Sequence, residues 1–202
     1  SVTEWRATLK AHRASGDAAL GSTLELGGSL SVARSHFDAA GRNAAVAWTG
    51  RAVVEAEVVR PVGADRVVLA TNAVAVFGPS APAQELAYFG GPVSGPGFGY
   101  HEFSGDGGVS QRVEWQHAVW SLALPLGRFA SMRTPVTIAP FVQGVWMDAG
   151  RAGSAESAGW HEAGGLGVIT LWNALRFDVA RGVRDGRWMF AVDFARDFWR
   201  IL

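Results

Sequence analysis

Apolar and polar residues alternate with a period of two along much of this chain, and that pattern limits what it can fold into. Successive side chains of a strand point to opposite faces, so the pattern predicts strands with one apolar and one polar face. In residues 109–119 the apolar side is Val109, Val113, Trp115 and Val119, and the polar side is Ser110, Arg112, Glu114 and Gln116. The same alternation recurs in residues 4–12, 24–32, 46–58 and 187–195.

The alternating segments approach the ~9–11 residues that a tilted membrane strand needs, and they exceed the ~5–6 residues usual in globular sheets. Turn residues such as Ser15-Gly16-Asp17 and Arg184-Asp185-Gly186 separate them. We therefore predict an all-β fold, an antiparallel up-and-down transmembrane β-barrel, as one domain over residues 1–202. The predicted strands are about 2–13, 20–34, 43–60, 66–78, 109–123, 135–148, 160–171, 174–183 and 186–199.

Composition agrees with this fold class. The chain has no cysteine and a formal net charge of zero, so thiolate metal sites and a basic stripe for nucleic acid are excluded. No segment reaches the ~20 apolar residues of a membrane helix. A soluble β-sandwich or lipocalin-like barrel is the alternative, but Lys10 is the single lysine, which is unusual for a water-facing surface.

Residues 79–108 break the alternation with a run rich in glycine, proline and aromatic residues. Loops of this length are usually functional or disordered, and five aromatic residues argue for order because they need a surface on which to pack. We predict that this loop folds into the lumen of the barrel. The residues expected to carry the loop motif are Gly90, Gly91, Pro96, Gly97, Phe98, Gly99, Tyr100 and Phe103.

The loop and the segments after it resemble the C-terminal barrel of the bacterial surface antigen superfamily. That superfamily includes BamA-type assembly factors, TamA-type translocation modules and two-partner secretion transporters. The motifs are similar in order and spacing from about residue 66 to the end, with Phe89-Gly90-Gly91 and Pro96-Gly97-Phe98 at the loop. The resemblance implies a ~16-stranded barrel, of which residues 1–202 would form the C-terminal part.

In that superfamily an arginine at the loop tip meets acidic residues on the following strands. The resemblance implies that Glu114 and Asp148 are those acids, but Pro96 or Phe98 occupies the place of the arginine. Arg112 is the hypothesised substitute cation, so Arg112, Glu114 and Asp148 are expected to be lumenal charge partners. Alternate C-terminal aromatics form the expected assembly signal: Phe190, Phe194, Phe198 and Trp199.

The resemblance implies insertion of proteins into the bacterial outer membrane, or their translocation across it. Expected partners are outer-membrane lipid, the remainder of the barrel or other membrane subunits, and polypeptide clients. Alternatives are a structural barrel without insertase activity, or a small barrel enzyme or adhesin. The histidines show no metal-ligand spacing, and His101 or His161 beside Glu102, Glu162 or Asp106 is the weak enzymatic alternative. We expect no enzyme activity, metal or cofactor.

Overall fold

A computed structural model describes residues 2–17, 21–39, 42–78, 83–126, 130–148, 150 and 155–194. Almost all of these residues belong to antiparallel strands. The strands are β1 (Val2–Asp17), β2 (Ser22–Ala39), β3 (Arg42–Val62), β4 (Asp65–Phe77), β5 (Ala87–Phe89), β6 (Phe103–Gly105), β7 (Gly107–Leu126), β8 (Ala130–Asp148), β9 (Gly159–Thr170), β10 (Leu175–Gly182) and β11 (Trp188–Phe194). The helical elements are α1 (Gly91–Ser94) and two 3₁₀ turns at Ala83–Glu85 and Ala155–Ser157.

Nine of the strands form one sheet in the order β1-β2-β3-β4-β7-β8-β9-β10-β11. Each neighbour in the sheet is also the next long strand in the chain, so the topology is an up-and-down meander. The predicted all-β antiparallel up-and-down fold is confirmed. Strands β5 and β6 pair separately, within the long loop between β4 and β7.

The loop covers one face of the sheet, which we call the inner face; the opposite face is the outer face. The position of the loop also distinguishes the two ends of the sheet. We call the end that carries the β4–β7 loop and the β10–β11 connection the loop end. The short-turn end carries the β3–β4 turn at Gly63 and Ala64 and the β9–β10 turn at residues 171–174.

Apolar side chains of the alternating segments point outward. Phe190 is 77% exposed and Val142 is 62% exposed, whereas Glu114 on the inner face is 1% exposed. All nine strands of the large sheet contribute exposed large apolar residues. Soluble proteins rarely expose contiguous apolar patches larger than a few hundred Å². This sheet shows inverted burial: its large apolar side chains are exposed on the outer face, and charged side chains are buried on the inner face.

The apolar core lies between the loop and the inner face of the sheet. Its buried members are Val74, Ala87, Phe89, Phe98, Phe103, Val145, Met147 and Ala163. The loop supplies Ala87, Phe89, Phe98 and Phe103, and the sheet supplies the rest. No helix within the described part of the chain is long and apolar enough to cross a bilayer.

Candidate functional site: the docked loop and the buried charge cluster

Glycines allow the loop backbone to turn tightly. Gly90 has φ 115° and Gly91 has φ 80°, values that favour glycine because it has no Cβ. A Cβ at Gly90 would overlap the carbonyl oxygen of Gly99. The Gly91 N–H donates to the Phe98 carbonyl oxygen at 3.0 Å, which closes the turn that follows α1.

The loop tip rests directly on the inner face. A Cβ at Gly97 would overlap the Cβ of Ala163 on β9 and would lie 3.7 Å from that of Ala180 on β10. Pro96, beside it, is fully buried. Small residues on both sides therefore allow the loop backbone to approach the sheet closely, and any side chain at Gly97 would push the tip away.

An aromatic cluster fixes the loop beside its tip. The rings of Phe98 and Phe103 meet edge to face, with centroids 4.9 Å apart. Phe103 stacks on His161 of β9, with centroids 4.1 Å apart. The His161 Nε2–H donates to the Ser157 carbonyl oxygen at 3.0 Å, so the ring that receives Phe103 is itself held in place.

Hydrogen bonds tie the loop to the strands that follow it. The Ser110 hydroxyl on β7 donates to the Ser94 carbonyl oxygen at 2.6 Å, and Gln143 Nε2 on β8 donates to the Ser110 oxygen at 2.9 Å. Near the loop end, the Glu102 carboxylate accepts from the Gly99 N–H and pairs with Arg187. These contacts link the loop to β7, β8 and the β10–β11 connection.

Two motif residues have clear but different places. Gly99 lies in the tip and donates its N–H to Glu102. Tyr100 is 77% exposed and stacks on His101, with ring centroids 3.9 Å apart, so it lies outside the buried cluster. The other loop-motif residues surround the tip or the aromatic cluster.

A buried charge cluster lies on the inner face across β7 and β10. Arg176 donates from Nη1 to Glu114 Oε1 at 2.9 Å, and its Nη2 lies 2.7 Å from Glu114 Oε2. Arg176 Nε contacts both carboxylate oxygens of Asp178, at 2.9 and 2.8 Å. Both carboxylate side chains are 1% exposed and that of Arg176 is 13% exposed. Buried charges require such pairing, because unpaired charges cost several kcal/mol each.

Glycine on β9 makes this cluster possible. Strand β9 lies between Glu114 and Arg176 in the sheet, and Gly167 is the β9 partner of Asp178. A Cβ at Gly167 would lie 2.9 Å from Arg176 Nη2 and 2.7 Å from Asp178 Oδ1. The missing side chain therefore leaves the space through which Arg176 reaches Glu114.

The predicted charge partners are brought together only in part. Arg112 lies beside Glu114, but its Nε is 3.7 Å from Glu114 Oε2, whereas Arg176 makes the short contacts. Asp148 does not join the cluster. It is exposed at the end of β8, where odd-numbered residues such as Val145 and Met147 face inward, and its Oδ1 accepts from the Gly150 N–H at 3.0 Å.

Sequence reasoning missed Arg176 as the partner of Glu114. Arg176 and Asp178 are two residues apart, which places both on one face of β10. Nothing in the sequence connects that pair to Glu114, 62 residues earlier.

Two of the expected C-terminal aromatics can be placed. Phe190 and Phe194 are 77% and 61% exposed on the outer face of β11. Phe198 and Trp199 lie outside the described residues.

The inner face also borders a cavity of about 480 Å³ beneath α1. Carboxylates of β3, Glu55 and Glu57, line one part of it, and Arg112 and Arg176 line another. Within the described residues, no group of three or more histidines or acids could hold a metal ion.

Comparison with known proteins gives similarity to solved structures but to no protein family. No protein-family model and no curated protein matches the chain. Among solved structures, the chain is similar to CdiB from Acinetobacter baumannii, with 16% identity and a TM-score of 0.43. The aligned region covers 95% of this chain and 41% of that one, so the chain spans about two fifths of the length of CdiB.

Proposed function

We propose that this chain forms part of the wall of a bacterial outer-membrane β-barrel and that the barrel acts in the insertion or translocation of polypeptides. The observation that carries the membrane part is the inverted burial of the sheet. Phe190 and Val142 are exposed on the outer face, whereas Glu114, Arg176 and Asp178 are buried on the inner face. Lipid hydrocarbon around the barrel would cover the apolar outer face, and a filled polar interior would surround the charges of the inner face.

The lengths of the connections between strands indicate which end of the sheet would face the periplasm. Outer-membrane barrels have short turns on the periplasmic side and longer loops outside. Strands β3 and β4 are joined at the short-turn end by two residues, whereas β4 and β7 are joined by the loop at the other end. The proposal therefore assigns the short-turn end to the periplasm.

A pair of valine substitutions tests the membrane part. Val142 is 62% exposed on the outer face of β8, and Val183 is 68% exposed in the β10–β11 connection. In vesicles, Val142→Arg should lower the free energy of unfolding by about 2 to 4 kcal/mol, because it places a guanidinium in hydrocarbon. Val183→Arg should change it by less than about 0.5 kcal/mol. Equal small effects at both positions would refute the membrane assignment.

The transport part rests on the loop motif and on its resemblance to the surface antigen superfamily. The appropriate assay supplies unfolded client outer-membrane protein to vesicles that contain the chain and follows client folding over time. The proposal expects faster client folding than in empty vesicles. It also expects the acceleration to fall when Gly97→Ala displaces the loop tip.

One observation favours a second candidate, a structural barrel without insertase activity. The buried carboxylates pair with Arg176 and Arg112, which belong to the wall, and the loop docks through Phe98 and Phe103 rather than through an arginine. The client assay separates the two roles. A chain that enters vesicles but leaves client folding unchanged would be a structural component.

A further inference from the structure

Asp65, Trp115 and His117 form a polar group on the outer face, at the short-turn end. The Asp65 carboxylate accepts from Trp115 Nε1 at 3.0 Å and lies 2.6 Å from His117 Nδ1. The Trp115 and His117 rings stack, with centroids 5.6 Å apart. Strand β7 is thereby linked to the start of β4.

Arg60 on β3 brings a positive charge to the same place. Arg60 is the register partner of Val67, and Val67 is the partner of Trp115, so these three residues form one row across the sheet. Arg60 is exposed, and the outer face of β3 also carries exposed Val58 two residues away. A cation and a carboxylate thus lie on one patch, separated by roughly 10 Å of sheet.

This patch lies near the periplasmic border of the proposed membrane. On β7, Val109 pairs with Trp146, which belongs to the tryptophans at the loop end. From Val109 to His117 a strand rises about 26 Å, and a tilt of about 40° turns this into roughly 20 Å of bilayer thickness. The apolar band of such barrels is ~25 Å tall and is bordered by aromatic residues, so the patch lies about 5 Å inside its periplasmic border. Exposed Val119, Trp120 and Leu122 of β7 lie beyond the patch.

Resting on the proposed membrane assignment, we infer that Arg60, Asp65, Trp115 and His117 bind the phosphoethanolamine headgroup of a phospholipid. Its phosphate pairs with the Arg60 guanidinium, and its ammonium donates to the Asp65 carboxylate and the adjacent imidazole. A phosphocholine headgroup lacks the N–H donors for Asp65. A phosphoglycerol headgroup lacks the positive charge. The two signs of charge on the patch therefore select a zwitterionic headgroup that can donate hydrogen bonds.

Native mass spectrometry of the full chain refolded in detergent micelles tests this inference. Phosphatidylethanolamine, phosphatidylcholine and phosphatidylglycerol with identical acyl chains are added in turn, and retained lipid is counted. We expect the apparent Kd for phosphatidylethanolamine to be at least about fivefold lower than for the other two lipids, a difference of about 1 kcal/mol. Equal retention of all three lipids would overturn the inference.

Single substitutions then locate the site. Asp65→Asn should abolish the preference for phosphatidylethanolamine, because it removes the negative charge that the ammonium meets. Arg60→Gln should raise the apparent Kd for phosphatidylethanolamine, because it removes the cation that meets the phosphate. Arg34→Gln is the matched control, because Arg34 lies near the opposite end of the sheet with its guanidinium 5.4 Å from the Trp48 ring. If Asp65→Asn fails to fold, Arg60→Gln still decides, since Arg60 is exposed. An apparent Kd for phosphatidylethanolamine that Arg60→Gln leaves unchanged contradicts the assignment.

Two further outcomes are distinguishable. Free phosphoethanolamine without acyl chains should not be retained; if it is retained as well as the lipid, a soluble ligand takes the place of the lipid and the inference is wrong. If the wild-type chain does not enter vesicles at all, the proposed membrane function fails. If it enters them without a headgroup preference, only the lipid site fails.

Discussion

The two halves of the sheet differ in how their inner faces are filled. Over β7 to β10, the docked loop, its aromatic cluster and the Glu114–Arg176–Asp178 cluster leave the inner face buried. Over β2 and β3 the inner face carries Glu25, Glu55 and Glu57 toward the cavity. The loop half is therefore a two-layer structure with its own core, whereas the stability of the other half depends on strand pairing and on what covers its outer face.

The largest effect should come from breaking the charge cluster. Arg176→Ala leaves Glu114 and Asp178 buried together with only Arg112 nearby, 3.7 Å from Glu114. Breaking a buried ion pair in this way costs about 3 to 5 kcal/mol. Lys10→Ala, which removes an exposed cation from the polar side of β1, should cost less than about 0.5 kcal/mol. Urea unfolding in micelles, followed by tryptophan fluorescence, measures both. If both substitutions lower the free energy of unfolding by the same amount, the charge cluster does not set the two halves of the sheet apart.

Removal of an aromatic ring from the loop core should have a comparable or slightly smaller effect. Phe103→Ala deletes a ring that contacts Phe98 and His161, and such deletions typically cost about 3 to 5 kcal/mol, less where the site can collapse. Tyr100→Ala, in the same loop but 77% exposed, should cost less than about 0.5 kcal/mol. A large loss with Tyr100→Ala would show that the exposed part of the loop also carries stability.

A single methyl group at the loop tip should give a smaller but informative change. Gly97→Ala forces the tip away from Ala163 and should cost about 1 to 3 kcal/mol as an overpacked contact. It should also speed chymotrypsin cleavage after Phe98, which is buried in the docked loop. Gly164→Ala is the control, because a Cβ there meets nothing closer than 4.0 Å. Unchanged cleavage with Gly97→Ala would contradict close docking of the tip.

The alternation in the sequence was enough to predict the strands and their faces, because side-chain direction in a strand is a local property. Val113 and Trp115 are exposed, and Ser110 and Glu114 are buried, as the pattern of 109–119 predicts. Val119 is exposed as well, although a register shift between Ala118 and Trp120 interrupts the pairing with β8 there. Such an irregularity depends on the partner strand and leaves no signal in the strand itself.

The contacts of the site could be predicted only in part. The loop motif predicted the docked residues Gly97, Phe98 and Phe103, whose glycine and aromatic types fit a close approach. The Arg176 contact with Glu114 depends on how the sheet curves over the four strands β7 to β10 and on the absence of a side chain at Gly167. Neither condition can be read from the spacing of the charged residues.

The most direct test of the central claim is quenching of tryptophan fluorescence by lipid. Trp115, Trp146 and Trp160 are among the tryptophans exposed on the outer face. In vesicles whose acyl chains are brominated close to the headgroups, at the depth of these rings, we expect strong quenching of the folded chain and little quenching by iodide in the water. Strong iodide quenching with no effect of the brominated lipid would contradict the account, because the outer face would then meet water.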